Sequence, residues 1–142
     1  MEKPANVISE ERCWELLATV SVGRLALSVR ALPVILPVWY YLEGHSLAVC
    51  MGHRAIPERS LNQAIIAFTA DAIDPVTRSG WAVQVQGKSE IARDHHFETD
   101  CGLPTAGQVV QIHAGIISGF HVLMCPYIND LHAARTRSLA PN

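Results

Sequence analysis

Apolar positions at helical spacing come first along the chain. Cys13, Trp14, Leu16, Leu17 and Val20 form one stripe, and Ser9 ahead of Glu10 and Glu11 supplies a cap and an acidic first turn. This pattern predicts a helix over 9–19. The period then drops to two. From Gly23, Leu25, Leu27 and Val29 alternate with Arg24, Ala26 and Ser28, which is the spacing of a half-buried strand. Ala31 to Pro33 turns the chain into a second strand, Val34 to Leu42. Glu43-Gly44-His45 reads as a hairpin turn, so a third strand, Ser46 to Met51, runs antiparallel to the second. Pro57 suits the first turn of a short helix through Asn62. Ala64 to Ala70 is a fourth strand, and Asp74-Pro75 marks a loop. Trp81 to Ile91 alternates again. Val109–His113 and Ile116–Leu123 read as a closing pair of strands.

Residues 94–106 are expected to be irregular or a single helical turn, with Gly102 and Pro104 as breakers, and the polar tail over 129–142 is expected to be flexible. No repeat or linker divides the rest, so residues 1–128 are read as one domain. Six or seven short strands with one N-terminal helix and one short helix point to a mainly β, antiparallel barrel, which leaves no open edge.

Composition narrows the function classes. Of the 142 residues, 49% are hydrophobic and only 17% charged, with net charge −2. An average soluble domain carries about 25% charged residues, so the deficit suggests apolar surface covered in a homodimer. The scattered Lys and Arg leave no footprint for nucleic acid. No apolar run reaches the roughly 18 residues of a membrane helix. The N-terminus has no signal-peptide pattern, so a cytoplasmic location is expected. Cys13, Cys50, Cys101 and Cys125 include no C-x-x-C pair and read as free thiols. Seven histidines raise the question of metal. His95 and His96 are adjacent and diverge, and His113 and His121 fall on the two closing strands, where they would face each other. Neither group has zinc spacing, and no metal is expected. A haem would need only one axial histidine, such as His53.

Leu16-Leu-Ala-Thr-Val-Ser-Val-Gly-Arg-Leu-Ala26, Pro33-Val-Ile-Leu-Pro-Val38 and its aromatic pair, Ile73-Asp-Pro-Val-Thr-Arg-Ser-Gly-Trp-Ala-Val83, and Val109 to His113 through Ile117-Ser-Gly-Phe-His-Val122 together resemble small actinobacterial proteins related to pyridoxamine 5′-phosphate oxidase. The resemblance implies a split β-barrel, a homodimer and flavin sites at the dimer interface. It also places residue 39 on the cofactor side and Trp81 near the interface.

The departures from the family pattern fall on the flavin-phosphate site. The pattern has asparagine where Trp39 stands. It ends the third strand in Arg-Thr, then continues Gly-Pro-Gly-Ser-Lys-Leu. Here Cys50 and Met51 occupy the Arg-Thr positions, and Ala55 and Ile56 the Ser-Lys. A phosphate calls for cations, hydroxyls or a helix start, and only His53, Arg54 and Arg59 remain nearby to offer them. These substitutions favour a cofactor-independent enzyme whose apolar, aromatic interface pocket takes a hydrophobic small molecule. A cyclase or cycloaddition catalyst of natural-product biosynthesis is one concrete form. Tyr41, Trp39 and His53 are its candidate catalytic residues. Met51, Cys50, Trp81 and Arg54 are candidates for substrate binding. Trp39 reads equally as barrel core, since aromatics commonly fill cores. The alternatives are an FMN- or deazaflavin-dependent oxidoreductase and a non-catalytic binding dimer.

Overall fold

The computed structural model describes residues 6–51, 56–92 and 109–123. The elements in chain order are β1 (Val7–Ile8), α1 (Glu10–Leu17), β2 (Val22–Val29), β3 (Leu32–Glu43), β4 (Ser46–Cys50), α2 (Glu58–Leu61), β5 (Ile65–Asp74), β6 (Ser79–Ile91) and β7 (Val109–Leu123). The strands run β1-β7-β4-β3-β2-β5-β6, and a further β6–β7 pairing closes the sheet. Every pairing is antiparallel. The result is the mainly β, antiparallel barrel that the alternation predicted, of the split type that the family resemblance implied.

Local chemistry accounts for the turns. The Ser9 hydroxyl accepts from the Arg12 amide at 3.3 Å and caps α1. Gly44, at φ 59°, makes the β3–β4 hairpin and is one of the few residues that enters this region without steric cost. The β2–β3 turn is tighter than the sequence suggested. Arg30 and Ala31 both take positive φ, 52° and 65°, so β3 already starts at Leu32. Pro33 and Pro37 pair with β2, but β4 joins β3 only from Trp39 to Glu43. Among the described residues, both prolines therefore lie where β3 pairs on one side only and their missing N–H matters least. The closing element also differs from expectation. Residues 109–123 form one strand, kinked by an irregularity in its pairing with β6 between Gln86 and Gly87. A bulge adds a residue without ending the strand, and at Gly115 the sequence looks like a turn.

Inward residues of all six long strands fill the barrel, among them Leu25, Leu36, Val38, Leu47, Phe68, Val85 and Ile112. Helix α1 packs Cys13, Leu16 and Leu17 onto the same core. Tyr40 ties the two together. It is 3% exposed, its ring meets Phe68 edge-on at 4.8 Å, and its hydroxyl donates to the Leu17 carbonyl at 2.5 Å. That bond satisfies one of the carbonyls a helix end leaves open.

Burial pushes the Tyr40 hydroxyl up to about 12, against about 10 in an unfolded chain. Between these values the folded chain holds a proton that the unfolded chain has released. The associated stability is complete below about pH 10 and falls as pH rises toward 12. Tyr40→Phe should cost about 1–3 kcal/mol at pH 7, because a buried carbonyl loses its donor. It should also flatten the alkaline loss of stability, leaving the part due to Cys13, whose thiol is raised by burial and then by Glu10. Urea unfolding at pH 7, 10 and 11.5 would show both effects.

Candidate functional site

Strand alternation sends every second residue of β2, β3 and β4 outward, and register aligns them across the sheet. Val22 lies opposite Trp39, Trp39 opposite Cys50, and Cys50 opposite Val109. The next outward residues of β3 are Pro37 and Ile35 on one side of Trp39 and Tyr41 on the other. Trp39 is 50% exposed and Ile35 68%, while Val38 and Tyr40 between them are buried in the core. Trp39 is therefore an outer-wall residue, and the core reading of it does not hold. Around it lies an apolar surface with one half-buried thiol, Cys50.

The structure brings only some of the candidate residues together. Trp39, Cys50 and Tyr41 share the outer wall, with Tyr41 opposite Ala48. Met51 does not join them. It follows outward-facing Cys50, alternation turns it inward, and it packs in the core at 5% exposure. Trp81 does not join them either. It sits on the inward row of β6 with Val83 and Val85, opposite Ala72 and His121, partly buried against the core. His53 and Arg54 lie outside the described residues, as do Ala55, Cys101, Cys125, His95, His96 and the 129–142 tail. Cys13 is a buried free thiol.

His113 and His121 do not face each other. They belong to the same strand, about 26 Å apart at the rise of extended chain. His113 instead sits between Ser46 Oγ and Glu90 Oε2, at 3.4 Å each. No local pattern along the chain marks this group, because three separate strands contribute to it. Its contacts are long and its His and Glu side chains are half-exposed, which marks a solvated surface network. Among the described residues, no three His, Cys, Asp or Glu side chains are grouped to hold a metal ion.

The profile of the pyridoxamine 5′-phosphate oxidase family matches residues 9–101, well over half of the chain. The chain belongs to that family. An uncharacterized protein of Mycobacterium tuberculosis is 29% identical over 92 residues, covering 61% of this chain and 60% of the relative. The match thus spans less than two thirds of that protein. Among solved structures, the FAD binding protein from Mycobacterium smegmatis is similar at 22% identity and a TM-score of 0.65, covering 81% of this chain and 95% of that one. The FAD and heme binding protein from the same organism is similar at 18% identity and a TM-score of 0.62, covering 88% and 78%. At such identities these likenesses establish the fold.

Family membership raises the question of a flavin, and the end of β4 is where its phosphate would be tested. Cys50 there presents a thiol and Met51 a buried thioether. Ile56 packs against the core. None is a cation or a strong hydrogen-bond donor of the kind a phosphate selects. Arg59 is exposed, on the four-residue helix α2. The described residues of this strand end do not fit a flavin phosphate.

Proposed function

We propose that the protein binds a hydrophobic small molecule on the outer wall around Trp39, and that it does so without a flavin. The observation that carries this reading is the half-exposed indole of Trp39, set among Val22, Cys50, Pro37 and Ile35 at the position where the family pattern has a polar residue. Large aromatic side chains left partly open on an apolar wall are what flat organic ligands stack against. A second copy of the chain is proposed to complete the pocket. The outer wall carries Ile35, Ile65 and Ile116, all more than 60% exposed, and monomeric proteins rarely leave continuous apolar patches of large area.

If the bound molecule is transformed, the reaction suited to this surface is one that needs no hydride carrier or metal. Holding a flexible substrate in its reactive conformer can by itself remove several kcal/mol of a cyclisation barrier, on the order of 7–11 at best. Tyr41 is the outward hydroxyl nearest along β3 to polarise a substrate carbonyl. A natural-product cyclase is one enzyme of this type.

The protein as purified should show no flavin absorption in the visible range. It should release no flavin on denaturation and should scatter light as a dimer. Stoichiometric FMN or a deazaflavin in the purified protein would instead make it a flavin-dependent oxidoreductase of the family.

A further inference from the structure

Helix α1 and the tip of the β3–β4 hairpin meet through two rings. Trp14 on α1 and His45 in the turn lie 5.2 Å apart between centroids, with their planes inclined by 13°. Trp14 is partly buried against the core, whereas His45 is exposed. The imidazole thus lies face to face on an indole that the core holds in place, and water reaches it.

The other contacts of α1 do not change between pH 5 and pH 8 in kind. Cys13, Leu16 and Leu17 are buried apolar contacts, and the Leu17 carbonyl accepts from the Tyr40 hydroxyl. The stack does change. Histidine is the side chain that ordinarily gains a charge over that range, and the face of an indole attracts a cation. A neutral imidazole contributes stacking alone, and an imidazolium adds the attraction of its charge to the ring.

The charged groups on the two elements favour the protonated ring as well. Glu10 and Glu11 lie one turn before Trp14 on the same face of α1, while Glu15 is answered by Arg12 at 2.7 Å. On the hairpin, Glu43 stands two residues before His45 and accepts from the neutral Gln111 at 3.4 Å. The opposing charges come from the neighbouring strands. His113 lies opposite Ser46, next to His45, and is paired with Glu90. Lys88 lies opposite His113, a further strand away. Among the described residues, the balance on α1 and the hairpin is therefore acidic.

We propose that His45 and Trp14 form a proton-sensitive latch between α1 and the β3–β4 hairpin. The latch is tightest in acid, and its added attraction is lost as pH rises past neutrality. The hairpin carries Trp39 and Tyr41, so the latch sets how firmly their strand is held to the helix, whatever binds there.

Two readouts test this in the full chain. The Trp14 indole N–H resonance should shift between pH 8 and pH 5 with the same midpoint as the His45 ring protons. Hydrogen exchange of the α1 amides, corrected for the intrinsic rate at each pH, should be about 2–5-fold slower at pH 5, the slowing that one exposed cation–π contact gives. His45→Phe keeps a ring on Trp14 and removes the proton. Both pH responses should vanish in it, and both should persist in His113→Gln. A His45→Phe protein that keeps the wild-type pH responses overturns the latch. So does their loss in His113→Gln, which would assign them to β7, and so does a His45 titration that leaves the Trp14 resonance unmoved.

Discussion

Gly23→Ala should destabilise the barrel by more than about 3 kcal/mol, at the upper end of what overpacking costs, and lower the melting temperature by about 10 °C or more. A Cβ at residue 23 would sit 2.3 Å from Phe68 Cζ and 2.7 Å from the Thr69 carbonyl oxygen. Contacts that short demand movement, and neither partner has room. Phe68 is 1% exposed and held edge-on by Tyr40. Thr69 belongs to the β2–β5 ladder opposite Arg24. Shrinking the ring in a Gly23→Ala, Phe68→Leu double variant should restore only part of the loss, because the carbonyl stays in place. Thermal unfolding of the two variants measures this directly. A Gly23→Ala protein that melts within a few degrees of wild type would mean that β2 and β5 lie farther apart than described.

Trp39→Ala should have the opposite profile. Truncating an aromatic in a core costs about 3–5 kcal/mol. Trp39 is half-exposed, so its truncation should cost less than about 1 kcal/mol, close to the usual range of surface changes. Its effect on binding should be large. Tryptophan at the centre of a contact commonly contributes about 2 kcal/mol or more, which corresponds to at least about 30-fold in affinity. Titration of wild type and variant with N-phenyl-1-naphthylamine, alongside their melting curves, compares the two effects. A variant that loses stability as Gly23→Ala does, yet keeps its affinity, would return Trp39 to a structural role.

The two residues also show what the sequence could and could not express. Period-two alternation through β3 is strong enough to say that Trp39 and Tyr41 share one face and Tyr40 the other. It cannot say which face is inside, because both carry large aromatic rings. The pairing with Leu17 and Phe68 decides it, and those residues are 23 and 28 positions away from Tyr40. Met51 departs from its expected pocket position for a related reason. Its chemistry suits an adaptable pocket, but its parity along β4 puts it with Val49 in the core. The sequence patterns over 109–113 and 116–123 read as a strand pair, and the bulge that joins them into β7 falls at Gly115, where a turn and a bulge have the same local signature. The grouping of Ser46, His113 and Glu90 had no signal at all, since register across three strands creates it. The fold itself was more legible. Its hairpins are local, and Gly44 and the Asp74–Arg78 turn are written in short motifs. Asp74 Oδ1 accepts from the Val76 amide at 2.7 Å there.

The central claim is that an apolar, aromatic wall has replaced the flavin-phosphate site at the end of β4. Each charge-assisted bond to a phosphate is worth about 1.5–3 kcal/mol. Without the arginine and lysine that the family resemblance implies, about 3–6 kcal/mol should be lost, or two to four decades of affinity. Calorimetric titration of the purified protein with FMN tests this most directly. The expected result is no binding tighter than about 10 μM, given the charge-assisted bonds that are missing. A submicromolar dissociation constant at one FMN per chain would contradict it, and the protein would then be a flavin carrier whose phosphate is held outside the described residues.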